Sequence, residues 1–257
     1  MLGLFKSNSL PPESLILWIF DVYEWLLEHT GGTEQFQQSY LITPTPEYYP
    51  DPDGEDLAQH LFQITKEHAG MQDWPCRLEA HSNAPSASDV LGRAPASYSQ
   101  TAGAAGTFRI APNQEIVITY AEKSLADPVS FIGTMAHELS HYLMGTIPVD
   151  PPGGDEAEEP ATDVCAVFLG FGIFVANGAV RFSQFNDGAT IGWSMSRKGY
   201  LSEQALAYAL AVFLELHGLP RSAATSHLDP NPRAYLKAAL RDIRKKRSAS
   251  LARLRPS

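Results

Sequence analysis

Apolar residues recur at intervals of three and four along several stretches of the chain, and this spacing predicts amphipathic helices. The first such stretch covers residues 12–30 and stops at Gly31 and Gly32, where glycine is favoured just after a helix. A second covers residues 55–68. Residues 1–72 are therefore predicted to form an N-terminal helical region. Neither stretch carries a pattern typical of a catalytic or binding site.

Alternating apolar and polar residues, which are typical of strands, occupy residues 107–110 and 115–120 on either side of a short polar turn. This pattern predicts a β-hairpin, and residues 73–79 are also strand-like. Between them, residues 82–106 are rich in Ala, Ser, Gly and Pro and predict a long loop. Such a loop is either a lid over a cleft or, as its composition favours, a solvated connection.

The later part of the chain predicts a second hairpin and two more helices. Residues 180–185 and 190–195 flank an Asn-Asp-Gly turn and favour the hairpin. A helix over residues 203–217 is expected to begin after Ser202, a residue suited to capping a helix. Residues 232–247 carry leucine and isoleucine on one helical face and basic residues on the others.

A His-Glu-x-x-His motif lies directly after the first hairpin, with His137 and His141 as its histidines. On a helix, two histidines four residues apart lie one turn above each other, so both imidazoles can bind one zinc ion. Glu138 projects about 100° around the helix and can accept a proton without binding the metal. Asp127 marks the expected start of this helix, and Gly145 predicts a left-handed stop.

A catalytic zinc ion usually has three protein ligands, so one more is needed. A second helix, expected to begin near Glu158, carries Glu159 and Asp163 one turn apart. Glu159 is the preferred third ligand, with Glu158 as the main rival, and Asp163 can accept the spare N–H of a ligating imidazole. The alternative is an acidic first turn that is favoured only by the helix dipole.

These two helices resemble those of the gluzincin metallopeptidases, the clan of thermolysin. The matching segments are His137-Glu138-Leu139-Ser140-His141 and Glu159-Pro160-Ala161-Thr162-Asp163. The resemblance implies an α+β zincin-like fold, with a small β-sheet over an active-site helix and a second glutamate-bearing helix. It also implies zinc bound by the two histidines and Glu159, Glu138 as the general base and Asp163 beside a ligand. The metzincin pattern fails, because Met144 and Ile147 replace its glycine and third histidine.

A peptidase of this type also needs a donor for the oxyanion of the tetrahedral intermediate. Tyr200, Tyr208 and His217 are the candidates in the later part of the chain. Tyr200 is preferred because it lies just before the expected start of a helix, close to a loop.

The formal net charge is −10, and it is unevenly distributed. Residues 233–257 contain nine basic residues and one acidic residue, a net +8, which leaves −18 for the rest. The main body is therefore not expected to bind nucleic acid, and it could prefer cationic substrates. For the basic tail, docking on the acidic body or simple solvation is favoured over contact with anionic lipid or nucleic acid.

Residues 164–176 are thirteen consecutive apolar residues, fewer than the roughly twenty that span a membrane. They predict a central helix packed behind the metal helix, with Gly170 and Gly172 allowing the two to approach closely and with Asn177-Gly178 ending the run. No transmembrane segment is therefore expected. Two cysteines are too few for a disulfide scaffold, which favours reduced thiols and a cytoplasmic location.

The sequence thus predicts three parts: the helical region of residues 1–72, a zincin-like domain over residues 73–222, and a basic helical tail over residues 223–257. The expected activity is zinc-dependent hydrolysis of a peptide or protein substrate. The alternative is a zinc-binding regulatory or interaction protein with a latent site. The presence of Glu138 favours the enzyme, because a structural zinc site needs no unligated carboxylate.

Overall fold

The computed structural model describes residues 9–45, 56–81, 106–111, 113–186 and 201–255. Within these ranges the chain forms ten α-helices and one three-stranded sheet, which confirms the predicted α+β class. The helices are α1 Glu13–His29, α2 Gly32–Phe36, α3 Leu57–His68, α4 Pro128–Met144, α5 Glu158–Ala166, α6 Gly172–Asn186, α7 Glu203–Leu216, α8 Ser222–Thr225, α9 Pro230–Lys246 and α10 Ser248–Arg253. The strands are β1 Arg77–His81, β2 Gly106–Ile110 and β3 Ile116–Ala121.

The sheet has the order β1-β3-β2, with β2 antiparallel and β1 parallel to the central strand β3. The hairpin β2–β3 confirms the sequence prediction, and it leaves β2 at one edge. Val117 and Ile118 of β3 are fully buried, and because consecutive side chains point to opposite faces, both faces of the central strand are covered here. Strand β2 packs on α4. The possible lid, residues 82–105, lies outside the described residues.

Helix α4 begins where the sequence predicts, since the Asp127 side chain accepts a hydrogen bond from the backbone N–H of Ser130 at 3.3 Å. Its end differs from the expectation. Gly145 has a φ of −63°, a right-handed conformation, so it is not the left-handed stop that was predicted. The helix instead closes through a hydrogen bond from the backbone N–H of Gly145 to the carbonyl of His141 at 2.8 Å.

The apolar run is buried behind α4, as predicted, but it belongs to two helices instead of one: α5 and α6 are joined by a π-helical turn, Val167–Phe171, and both pack on α4. The predicted role of its glycines is wrong. A Cβ on Gly170 would overlap the carbonyl oxygen of Tyr40, and one on Gly172 would contact Leu210 of α7. The close approach to α4 comes instead from Gly133, where an added Cβ would lie 3.5 Å from Phe174.

The predicted second hairpin is also wrong in its first half, because α6 continues to Asn186 through residues 180–185. Its second half, residues 190–195, lies outside the described residues. Asn177 was expected to end the helix, but its side-chain amide donates to the carbonyl of His227 and accepts from the N–H of Asp229, both at 2.9 Å. Because this side chain is bound elsewhere, it does not compete with the helical backbone.

The basic tail docks on the rest of the molecule, which is one of the two arrangements that the sequence favoured, the other being simple solvation. Helix α9 packs along α7 and buries Leu236, Leu240 and Ile243. Arg247 binds both carboxylate oxygens of Glu13 in α1, at 2.5 and 2.6 Å. The buried core includes side chains from each of the three predicted parts of the chain.

Among the described residues, one stretch, Asp155–Ala179, is long and apolar enough to cross a membrane. In its most apolar window, 89% of the residues are buried inside the protein. Buried core helices can be equally long and apolar. This stretch packs against α4 and α7, as a core helix does. Both cysteines are free thiols, with Cys165 buried and Cys76 half-buried.

Candidate metal centre

Helix α4 places the two histidines of the motif on one buried face. The rings of His137 and His141 lie 4.8 Å apart between centroids and nearly perpendicular to each other, one turn apart along the helix. Only 7% and 13% of their side chains are exposed. The two imidazoles therefore lie one turn apart on the same helical face, as the four-residue spacing predicts.

Helix α5 brings Glu159 to the same point. Its Oε2 atom lies 3.4 Å from Nε2 of His137, and its Oε1 atom lies 3.6 Å from Nε2 of His141. One ligand atom from each of these residues lies within 4.8 Å of the other two. A tetrahedral ion with bonds of about 2.0–2.2 Å would separate its ligand atoms by about 3.3–3.6 Å, close to the two N···O distances, so the three residues could hold a metal ion of this size.

The opposite ring nitrogens of the two histidines are held by α5 as well. Nδ1 of His137 lies 3.0 Å from Oδ1 of Asp163, and Nδ1 of His141 lies 3.3 Å from Oγ1 of Thr162. Glu158, the rival ligand, is half exposed and lies 3.8 Å from Nδ1 of His141. Because these contacts occupy the Nδ1 side of each ring, they direct both Nε2 atoms towards Glu159.

The second oxygen of Asp163 binds the chain just before α7. Oδ2 accepts a hydrogen bond from the backbone N–H of Leu201 at 2.7 Å, and both residues are buried. This contact brings the start of α7 beside the metal cluster. Tyr200, the preferred oxyanion donor, precedes Leu201 but lies outside the described residues.

The other two oxyanion candidates have partners in the helical core. The hydroxyl of Tyr208 donates to Oδ2 of Asp242 at 3.0 Å, and this tyrosine is fully buried between α1 and α9. His217 stacks on Phe36 and Phe213, with ring centroids 4.4 and 4.2 Å away.

Glu138 is 6% exposed and lies against the edge strand β2. Its carboxylate accepts a hydrogen bond from the backbone N–H of Phe108. Burial raises the pKa of Glu138, and the two neighbouring imidazoles only partly offset this. Gly106 makes the approach possible, because a Cβ there would lie 2.6 Å from Thr134 and 3.2 Å from Cγ of Glu138.

Hydrogen-bonded and non-hydrogen-bonded residue pairs alternate along the hairpin, and this alternation explains why the backbone N–H of Phe108 can bind Glu138 instead of β3. The backbone N–H of Ala111 donates to the carbonyl of Glu115, so these two residues form a bonded pair. Bonded and non-bonded pairs alternate along an antiparallel ladder, which makes Phe108 and its partner Ile118 a non-bonded pair. The amide and carbonyl of Phe108 therefore face the free edge of the sheet, towards Glu138.

Three half-buried aromatic side chains continue outward from the metal cluster. The ring of Phe108 stacks on His141 at 6.5 Å with an interplanar angle of 18°, and it contacts Tyr142 at 5.8 Å. Tyr142 in turn meets Trp74 edge to face at 4.8 Å. These contacts, like that of Thr162 with His141, were not predicted from the sequence. The strand-like alternation around Phe108 was the available signal, but it did not indicate which face meets α4.

The electrostatics of the cluster favour a bound cation. Burial alone would lower the pKa of both histidines, but the surrounding carboxylates raise the pKa of His137 well above its usual range and that of His141 to about 9. Burial alone would raise the pKa of Glu159, but the two imidazoles lower it. The carboxylates of the site therefore favour bound positive charge. Protons on the histidines supply it when no metal is bound, and a divalent cation can replace them.

In comparisons with known proteins, no family model, curated protein or solved structure matches this chain.

Proposed function

We infer that this chain is a zinc-dependent hydrolase that cleaves peptide bonds. The observation that carries the inference is the set of three convergent ligand atoms, from His137, His141 and Glu159, beside a buried carboxylate that is not among them. Two imidazoles and one carboxylate are a donor set of catalytic zinc sites with an open fourth position, whereas structural zinc sites are closed and rich in thiolates. The unligated Glu138 supplies what a hydrolase needs in addition, a base.

When bound at this site, zinc would lower the pKa of a water molecule and polarise the scissile carbonyl. Glu138 would accept a proton from the attacking water at its carboxylate and transfer it to the leaving nitrogen. Burial supports this role, because it raises the pKa of Glu138 and makes the carboxylate a better base. The hydrogen bond from the Phe108 amide fixes the orientation of the carboxylate.

Two other side chains position the ligands. Asp163 accepts the Nδ1 proton of His137, and Thr162 contacts Nδ1 of His141, so both imidazoles keep the orientation that turns Nε2 inward. Tyr200 remains the proposed donor to the oxyanion. Its neighbour in the sequence, Leu201, is hydrogen-bonded to Asp163, and this contact supports the choice of Tyr200.

The proposed architecture is zincin-like, with β2 as the strand that holds the substrate. An extended peptide can pair with an unpaired strand edge through backbone hydrogen bonds. By the alternation described above, Gly106 and Ile110 share the orientation of Phe108, so their backbone groups also point away from β3. Ile110 is exposed, which keeps that end of the edge accessible.

The test combines zinc content with cleavage of an unbiased peptide library. Glu138→Gln is expected to keep one zinc ion per chain and to lose turnover, because the amide cannot accept the proton. His141→Ala is expected to lose zinc as well as activity. Glu158→Gln is the matched control, since it makes the same chemical change at a half-exposed position.

Unchanged cleavage by Glu138→Gln would refute the assigned mechanism. Zinc in the wild-type protein without cleavage of any peptide would favour a zinc-stabilised binding protein. Wild-type protein that binds no zinc would refute the metal site itself.

A further inference from the structure

A groove of about 430 Å³ lies between α8 and α9, on a part of the molecule that shares no residue with the metal centre. Its lining consists of Pro220, Arg221, Ser222, Lys237, Leu240, Arg241 and Arg244. Four of these seven residues are cationic and none is acidic. The groove therefore concentrates positive charge in a chain whose formal net charge is −10.

The cations on α9 form one stripe. Lys237, Arg241 and Arg244 follow each other at intervals of four and three residues, which places them on the same helical face. Arg221 faces them from the segment before α8. Four basic side chains from two elements thus line one groove, and an anion bound between them would reduce their mutual repulsion.

Most of these charges have no acidic partner. Arg244 binds Glu215 at 2.6 Å. Among the residues that the structure describes, no carboxylate pairs with Arg221, Lys237 or Arg241. Elsewhere in the tail the pattern is different, because Arg247 binds Glu13 and Arg253 binds Asp21. Arg247 and Arg253, which dock the tail, are therefore neutralised by carboxylates, whereas, within the described residues, three of the four groove cations are not.

We propose that this groove binds a soluble small molecule that carries two or more phosphate groups. Arginine guanidinium groups suit phosphate because they donate two parallel hydrogen bonds to it, and lysine adds a mobile point charge. Ser222 supplies a hydroxyl, while Pro220 and the aliphatic parts of the basic side chains offer apolar surface to the rest of the ligand. The volume falls within the range of about 300–1,000 Å³ that small-molecule sites occupy.

The surroundings favour a small ligand over a membrane or a nucleic acid. The large apolar side chains that are exposed in the described structure are Leu17, Tyr40, Ile110 and Val149, and none of them lines the groove to insert into a bilayer. A nucleic acid would need an extended basic track, whereas residues outside 233–257 carry a formal −18. Phosphate on a lipid headgroup shares the same chemistry, so the experiment must separate the two sources.

The test is calorimetric titration of the full chain with pyrophosphate and with inositol hexakisphosphate at physiological salt. Lys237→Gln and Arg241→Gln are each expected to weaken binding by about tenfold, since each removes a charged hydrogen-bond donor. Lys245→Gln is the matched control, because it removes one exposed charge from the same helix outside the groove, and its binding should stay within about twofold. All three substituted side chains are exposed in the wild type, so the folded state should keep its melting temperature.

Vesicles of phosphatidylcholine, with and without phosphatidylinositol bisphosphate, and a short DNA duplex complete the experiment. Binding of the soluble probes with the expected dependence on Lys237 supports the proposal. Three outcomes would overturn it: no binding of either soluble probe, binding only to the phosphoinositide vesicles or to DNA, or an equal loss of affinity in Lys245→Gln. Cleavage activity does not enter any readout, so the result is independent of the proposed hydrolase.

Discussion

Nδ1 of His137 lies 3.0 Å from Oδ1 of Asp163, and this contact joins α4 to α5 inside the protein. The carboxylate fixes the imidazole tautomer that leaves Nε2 free for a metal. We predict that Asp163→Asn weakens zinc binding by about 10–100-fold, because the amide no longer supplies a charged acceptor at Oδ1. Competition with a chromophoric zinc chelator measures the change.

Glu158→Gln serves as the comparison for this prediction, since Glu158 is half exposed and lies 3.8 Å from Nδ1 of His141. A surface pair of this kind contributes at most about 1 kcal/mol, so zinc affinity should change by no more than about fivefold. Equal losses in the two variants would contradict the positioning role of Asp163.

Two glycines, one in β2 facing α4 and one within α4 facing α6, should respond in opposite ways to alanine. At Gly106, a Cβ would lie 2.6 Å from Thr134 and 3.1 Å from the carbonyl of Thr119, so β2 must move away from α4. We predict that Gly106→Ala destabilises the protein by about 1–3 kcal/mol, as overpacking does. At Gly133, the nearest atom would be 3.5 Å away, an ordinary contact.

Gly133→Ala should therefore be neutral or stabilising by up to about 1 kcal/mol, because alanine favours the helical backbone. Urea unfolding of both variants, followed by circular dichroism, gives the two free energies. A Gly106→Ala variant as stable as Gly133→Ala would mean that β2 does not press on α4.

Gly170 lies in the π-helical turn between α5 and α6 with a φ of +102°, a conformation that side chains other than glycine rarely adopt. Its carbonyl accepts a hydrogen bond from the N–H of Ile42 at 3.1 Å, and an added Cβ would overlap the carbonyl oxygen of Tyr40. Gly170→Ala should cost about 2–4 kcal/mol from strain and overlap together. Thermal unfolding measures this loss, and a change below about 1 kcal/mol would contradict the conformation.

Asp242 is 5% exposed and should make stability depend on acid pH. Burial by itself raises its pKa, but bonds with Lys246, Tyr208 and Arg247 outweigh burial and hold the pKa below the usual 3.8. A lowered folded-state pKa means that the carboxylate's contribution is present above pH 3.8 and is lost as the pH falls through the folded-state value.

The melting temperature of the wild type should therefore fall more steeply below about pH 4 than that of Asp242→Asn. At neutral pH the variant should be less stable by about 1–3 kcal/mol, the contribution of hydrogen bonds to a charged group. Scanning calorimetry from neutral to acid pH checks both statements, and parallel curves for the two proteins would disprove the first.

Local signals in the sequence were sufficient for the two helices of the metal centre. The side chain of Asp127 caps α4, and the four-residue spacing of His137 and His141 requires only that this segment be helical. The α5 helix was expected to begin near Glu158 and does begin there. Geometry within one helix is fixed by its period, so such predictions do not depend on the rest of the fold.

Contacts between elements could not be predicted in the same way. Thr162 meets His141 only because of the way α4 and α5 cross, and Phe108 meets it only because β2 lies on α4. Asn177 was interpreted as a helix end from its local preference, yet hydrogen bonds to the segment before α9 keep it inside α6. In each case a partner distant in the sequence decides the structure.

The packing of α1 has a consequence for synthesis on the ribosome. Phe20 meets Tyr208 edge to face at 6.3 Å, and the hydroxyl of Tyr23 donates to the carbonyl of Ala209, 186 residues later in the chain. At a translation rate of about 5–20 residues per second, α1 waits on the order of 10–40 s for these partners. During that interval the apolar face of α1 is exposed in the nascent chain and accessible to chaperones.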